Sequence, residues 1–339
     1  MDQRTHTWIA IRAIALLEDR SNEKNLVKLL KPYAQEASVG AWIPDKIDAK
    51  RSGAGSITDN HIIKMEPYTG SQQDRFKTDK TKLLKNLGNH REIHKFLDND
   101  NSLASLNPNW WDQAYRGDIP KRGYHLPNRI MSLGVMMRDL LIMGNRTIDR
   151  LIPGKIRFAQ YLPDNARTTE EAAAMYFFML SHFVADASMP CHCDNRKLAS
   201  YDAGLHKEME KHWSKIIGTD FEKKNLLEEF IEPDLVLEIA RDVDDEFDVD
   251  FSNASIKDLL PKHDIWLEFM YYCRASFALA CIIAPPDRYS YTDKTVRAPF
   301  NQVFADANFL MEVDKLVIYD AVLNTAIVWK YVWNKISKE

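Results

Sequence analysis

Apolar residues recur along most of the chain at intervals of three and four, the period of helices that bury one face, and not at the interval of two that marks strands. The first such segment runs from about Thr7 to Glu18. A second, from about Glu23 to Glu36, carries Leu26, Val27, Leu29, Leu30 and Tyr33 and should kink or break at Pro32, which has no N–H to give. From Ser38 to Gln73 the pattern breaks at Gly40, Pro44, Gly53, Gly55 and Pro67, which predicts a long loop of the kind that is usually functional or disordered. Helical spacing resumes at about Lys77 to Leu97, gives way to the polar, Trp-bearing stretch Asn107 to Trp111, and returns at about Asn128 to Arg150 with Met131, Met136, Met137 and Met143.

Thr168-Thr169-Glu170-Glu171 reads as a capping box with Thr168 at the N-cap, opening a helix through Ala185 that stops before Pro190. Further helices are predicted at about Leu205 to Ile217, His263 to Ile283 and Asn301 to Ile336, with an acidic, less regular region from Phe221 to Leu260 between them. The expected class is all-α.

Composition supports this. Only 12 of 339 residues are glycine, about half the usual share, which disfavours a Gly-rich sandwich or a dinucleotide fold. With 45% hydrophobic and 28% charged residues the chain can bury a large core. A balance of 45 basic against 49 acidic residues argues against a strongly cationic nucleic-acid binder but leaves room for a local basic groove. Four cysteines make no disulfide framework. No apolar run reaches the ~18 residues of a membrane span. Trp8 to Leu17 is interrupted by Arg12, is followed by Glu18, Asp19 and Arg20, and lacks a cleavage site. The expectation is a cytoplasmic protein as written, or a secreted one if a leader was removed ahead of this numbering.

The chemistry lies in the placement of the histidines. His182 and Asp186 stand four apart on a predicted helix, so they share a face and can reach one metal. Pro190 ends that helix and turns His192 back toward the same space. His206 and Glu210 repeat the four-residue spacing on the next helix. Imidazole and carboxylate suit zinc, and pairs from neighbouring helices make inward-facing sites in bundles. Glu208 and His212 offer a shifted register of the second pair. Cys191 and Cys193, flanking His192, read as packing residues, Cys273 and Cys281 as core thiols, and the methionines near residue 136 as core. His90 with His94, and the acidic run Asp242 to Asp250, read as solvated surface, since the run lacks the glycine and terminal Glu of a calcium loop.

These residues resemble the zinc-dependent phospholipase C and single-strand nuclease superfamily. The resemblance rests on His-x3-Asp-x5-His at His182, Asp186 and His192, then His-x3-Glu at His206 and Glu210. Upstream it takes in Thr5-His6-Thr7-Trp8-Ile9, then Gly40-Ala41-Trp42-Ile43-Pro44-Asp45 and His61. It implies a single catalytic domain over 1–339 with an acidic insertion at about 219–261, an all-helical fold, and up to three zinc ions as cofactor. One zinc would be held by Asp45, His61, His182 and Asp186. A second would share Asp186 and take His6, completed by the amino group and carbonyl of Met1. The third would be bound by His192, His206 and Glu210.

The resemblance further implies a zinc-dependent phosphodiesterase of phospholipase C type. A hydroxide bridging the pair that shares Asp186 would attack, and Asp45 would act as ligand and general base. The alternatives are a zinc nuclease acting on single strands and a metal-stabilised helical scaffold without catalysis. The substrate would be a phosphate ester, either a phospholipid headgroup met in transient contact with a membrane surface or a single-stranded nucleic acid. The aromatics by which the phospholipases hold choline are absent at Lys46 and Thr58, and Ile62 follows His61 where the nucleases stack a base. Trp42, Tyr68, Trp110 and Trp111 are the loop aromatics that could line a cleft.

Overall fold

In a computed structural model of the chain, the described residues are 3–20, 23–49, 61, 63, 126–143, 169–194, 205–221, 265–284 and 307–338. Among them every extended element is a helix and no β-strand occurs, so the all-α class holds. In chain order they are α1 (Gln3–Arg20), α2 (Lys24–Leu30), a 3-10 segment (Lys31–Glu36), α3 (Ala37–Gly40), α4 (Ile43–Ala49), α5 (Leu126–Met143), α6 (Glu170–Ser188), α7 (Pro190–Cys193), α8 (Leu205–Phe221), α9 (Ile265–Ile283) and α10 (Ala307–Lys338).

Helix α6 is the axis of the fold. It packs against α1, α3, α5, α9 and α10, and from Phe177 to Ser188 every side chain is buried. A helix apolar nearly all round must lie inside its domain. Phe177 and Phe178 meet Trp329 of α10 edge-on, and the Trp329 indole N–H donates to the Phe177 carbonyl at 2.7 Å. Polar residues inside so apolar a helix need a specific reason, and His182 and Asp186 are the two that carry charge chemistry.

The 3-10 segment begins at the proline: Pro32 sits in its first turn, and Tyr33 has non-helical φ −109° and ψ 21°. The expected loop from Ser38 onward is corrected over 38–49, which is helical apart from the turn at Ala41 and Trp42. Gly40 permits a close approach, since a Cβ there would lie 2.6 Å from the Cβ of Phe178. Pro44 lies in the first turn of α4, where its missing N–H costs nothing. The N-cap of α6 is Thr169, one residue later than expected: its hydroxyl accepts from Ala172 N–H at 3.1 Å, and its extended backbone, φ −80° and ψ 161°, is that of a cap. Ala172, not a glutamate, occupies the third helical position, so the box has no reciprocal arm.

The methionine reading holds for Met137, which is in the core, but Met131 and Met136 are 39% and 42% exposed. Helices α1 and α8 run longer than their apolar patterns, α9 starts two residues later than expected, and α10 is described from six residues later than expected to two residues beyond. The expected helix at Lys77 to Leu97, the Trp110–Trp111 segment, His90 with His94, and the acidic region all lie outside the described residues.

Candidate metal centre

Five elements converge on Asp186. Helix α1 brings His6, α4 brings Asp45, the segment at 61–63 brings His61, α6 brings His182, and α7 brings His192. The 61–63 segment is clipped to α7 in both directions: Ile63 N–H donates to the His192 carbonyl at 3.0 Å, and His192 Nδ1 donates to the His61 carbonyl at 2.9 Å. Met189, with ψ 113°, breaks α6 just before Pro190, so α7 turns back beside Asp186.

The buried part of the site is crowded with acceptors. Asp186 Oδ2 lies 2.7 Å from His61 Nδ1 and 3.1 Å from His182 Nε2. Asp45 Oδ1 lies 3.6 Å from His182 Nε2 and 3.9 Å from His61 Nδ1. His182 Nδ1 sits 2.7 Å from the Ala41 carbonyl, which can only accept, so this nitrogen carries the ring proton. In the neutral ring Nε2 is then a bare lone pair, aimed at two carboxylates and at His61 Nδ1 3.0 Å away. These donor atoms all face one point, where a cation could be held. Ligands about 2.0–2.1 Å from a tetrahedral zinc stand about 3.3 Å from one another, and the separations here, 2.7 to 3.9 Å, bracket that value. A ligating histidine that donates its other N–H to a backbone carbonyl is also the usual arrangement at metals.

His6 points the same way. Its ring is buried and neither nitrogen has a hydrogen-bond partner. Desolvation, helped by the neighbouring His182, holds its pKa well below the usual imidazole value, so it is neutral with a lone pair to give. Its Nε2 lies 3.9 Å from Asp186 Oδ1. The His6 and His182 rings stack at 3.8 Å with 19° between their planes, and both turn Nε2 toward the Asp186 carboxylate. Asp186 thus presents Oδ2 to the His61–His182 pair, and Oδ1 to His192 Nδ1 at 3.4 Å and to His6 at 3.9 Å. Burial raises its pKa, but the facing histidines outweigh this and hold it well below the carboxylate range.

Among the described residues, donor atoms form three groups able to hold a cation: Asp45, His61 and His182; His6, His182 and Asp186; and His192, His206 and Glu210. His182 falls in two of them. With Nδ1 committed to Ala41 it has one lone pair, so it can serve only one ion, and Asp186 remains the carboxylate that both can share. Met1, expected to complete the His6 site, lies outside the described residues.

The third group lies toward the surface. His192 Nε2 faces His206 Nε2 at 3.1 Å, and His206 Nε2 lies 3.0 Å from Glu210 Oε1. His192 Nδ1 donates to the His61 carbonyl, so its Nε2 turns a lone pair toward the point that His206 and Glu210 also face. Although burial opposes it, the hydrogen bond with His206 helps to lower the Glu210 pKa to about 2. The shifted register is excluded, because Glu208 pairs with Lys211 and His212 with Asp314. Cys191, Cys193 and Cys273 are buried free thiols, and the Cys193 thiol donates to the Ala187 carbonyl. They join none of the three groups, while the Cys281 side chain lies outside those described.

Two contributors are hard to read from the sequence. The Ala41 carbonyl fixes the His182 tautomer through its backbone, which no residue type announces. Asp314 accepts from His212 and Trp213, and burial pushes its carboxyl up to about 6. Its one visible signal is an acid at helical spacing from the buried Val317, Ile318 and Ala321. Comparison with known proteins finds no significant match, whether to a protein family, a characterised protein or a solved structure. Among the described residues no helix is long and apolar enough to cross a membrane.

Proposed function

We propose that the protein is a zinc-dependent phosphoric ester hydrolase of phospholipase C type, as the motif resemblance implies. The observation that carries the reading is the Asp186 carboxylate, buried and facing imidazoles on both oxygens, within two groups of donor atoms that could each hold a cation. Zinc suits nitrogen and carboxylate donors. Asp45, His61, His182 and Asp186 would hold one ion, His6 and Asp186 a second, and His192, His206 and Glu210 a third.

Bound ions of this kind lower the pKa of water toward neutrality and offset the charge of a phosphoryl group. The chain's own residues do the rest. Asp45, half-buried with its Oδ1 at the rim of the cluster, is the carboxylate placed to accept a proton from attacking water. His6 and His182 are buried, which keeps bulk water from competing there. Trp42, half-buried, lies 6.4 Å from the His6 ring and beneath the Lys46 ammonium. An aromatic face beside the cluster favours, as a second reading, esters that carry a stacking group, such as single-stranded nucleic acid.

The test is turnover of bis-p-nitrophenyl phosphate, which should be abolished by a chelator and restored by zinc. A panel of phosphatidylcholine, other phospholipids and single-stranded DNA would then sort lipid from nucleic acid. Zinc uptake at all three groups with no turnover would instead identify a metal-stabilised scaffold.

A further inference from the structure

A second polar cluster ties α8 to α10, within about two turns along α8 of the metal ligands His206 and Glu210. Asp314, with no side-chain exposure, accepts from His212 Nδ1–H at 2.8 Å through one carboxylate oxygen and from Trp213 Nε1–H at 3.1 Å through the other. Both donors belong to α8. Its buried stripe is Met209, Trp213 and Ile217, successive turns of one face. His206 continues that stripe toward the helix start and Glu210 borders it, both facing His192. His212 follows Glu210 by two residues, about 200° round the helix, and so lies on the other flank.

This arrangement constrains rotation. One hydrogen bond would let α8 swivel about its axis. Two donors held by the two oxygens of a planar carboxylate fix the angle, because turning the helix lengthens one bond as it shortens the other. The same rotation would carry the His206 and Glu210 donor atoms toward or away from His192. Of the three ligands at the surface-facing group, His206 and Glu210 are the two that ride on α8, and they are only half-buried.

We propose that Asp314 is a positioning residue for the His192, His206 and Glu210 cation site, setting the rotation of α8 through His212 and Trp213. This rests on the reading of that triad as a metal site. It assigns Asp314 no contact with substrate or metal.

The experiment is a zinc titration of chelator-stripped full-length protein. The weaker binding class is assigned to the triad by its loss in Glu210→Gln. Asp314→Asn and His212→Leu should raise the Kd of that class about tenfold to a hundredfold, the range found when supports behind metal ligands are removed. Binding at the Asp186 centre should be unchanged. His212→Asn, whose amide N–H stands where the ring Nδ1–H was, should restore the triad affinity. Wild-type affinity at the triad in Asp314→Asn would overturn the proposal. So would equal weakening of both classes together with a lower melting temperature, which marks a merely structural residue. If the wild-type triad takes up no zinc, the functional reading of that site falls, and amide exchange decides the role of Asp314. Faster exchange in α8 of Asp314→Asn would sustain its hold on the helix, and unchanged exchange would overturn it.

Discussion

The two ends of the candidate metal centre are built differently. Around Asp186 the ligands come from α1, α4, the 61–63 segment and α6, far apart in sequence, and the His6, His182 and Asp186 side chains are at most 2% exposed. At the other end His192, His206 and Glu210 come from α7 and α8, close together in the chain, with His206 and Glu210 at 22% and 30% exposure. A site assembled from distant elements exists only when the whole core is folded, so ion binding there is coupled to folding itself. A site made from two successive helices can open locally, and its solvent side leaves room for a substrate oxygen. The buried end is thus suited to hold ions tightly, and the exposed end to exchange ligands.

The largest separation between the two ends should come from Asp186→Asn. It removes the shared carboxylate charge and should abolish phosphodiester turnover and tight zinc binding around His182, while the triad keeps its ion. Zinc counting by mass spectrometry checks this, and full zinc content with full activity would show that Asp186 does not bridge.

Gly40→Ala should come next. Its Cβ would collide with Phe178, push α3 from α6 and withdraw the Ala41 carbonyl from His182. Loss of such a support behind a ligand typically costs about 10–100-fold in metal affinity. Calorimetric titration should find that loss at the buried end alone.

Glu210→Gln should empty only the triad, raising KM more than it weakens zinc at Asp186. A comparable loss at both ends would erase the distinction between them.

The smallest effect concerns pH. Asp314 titrates near 3.8 when unfolded and about 6 when folded, so the folded state holds its proton more tightly. Its contribution is therefore most favourable below pH 3.8 and is lost as pH rises through about 6. Denaturant unfolding of metal-free protein should show this loss, and Asp314→Asn should remove it.

The sequence made the buried ligands on α6 and the pair on α8 legible because a four-residue spacing has one geometric meaning on a helix, and Pro190 marks where the first of these helices must stop. Two adjacent threonines left the cap of α6 ambiguous by one residue, which only the Thr169 hydroxyl and backbone resolve. Helices α3 and α4 were hidden by Gly40 and Pro44, residues that normally interrupt helices. Here one serves a close contact and the other a first turn. Periodicity placed Met131 and Met136 on a helix but could not say that their side faces outward. The link between Asp314 and α8 joins positions about a hundred residues apart, and no local pattern reports such a pair. The assembly of His6, Asp45 and His61 around Asp186 was expected from motif resemblance alone, since nothing in their spacing along the chain brings them together.

Titration of chelator-stripped, tag-free protein with zinc, with released protons counted, tests the central claim most directly. Two binding classes are predicted, a tight one lost in Asp186→Asn and a weaker one lost in Glu210→Gln, both weakening as pH falls and the histidines protonate. Absence of zinc binding at micromolar concentration, or binding untouched by either substitution, would contradict the account.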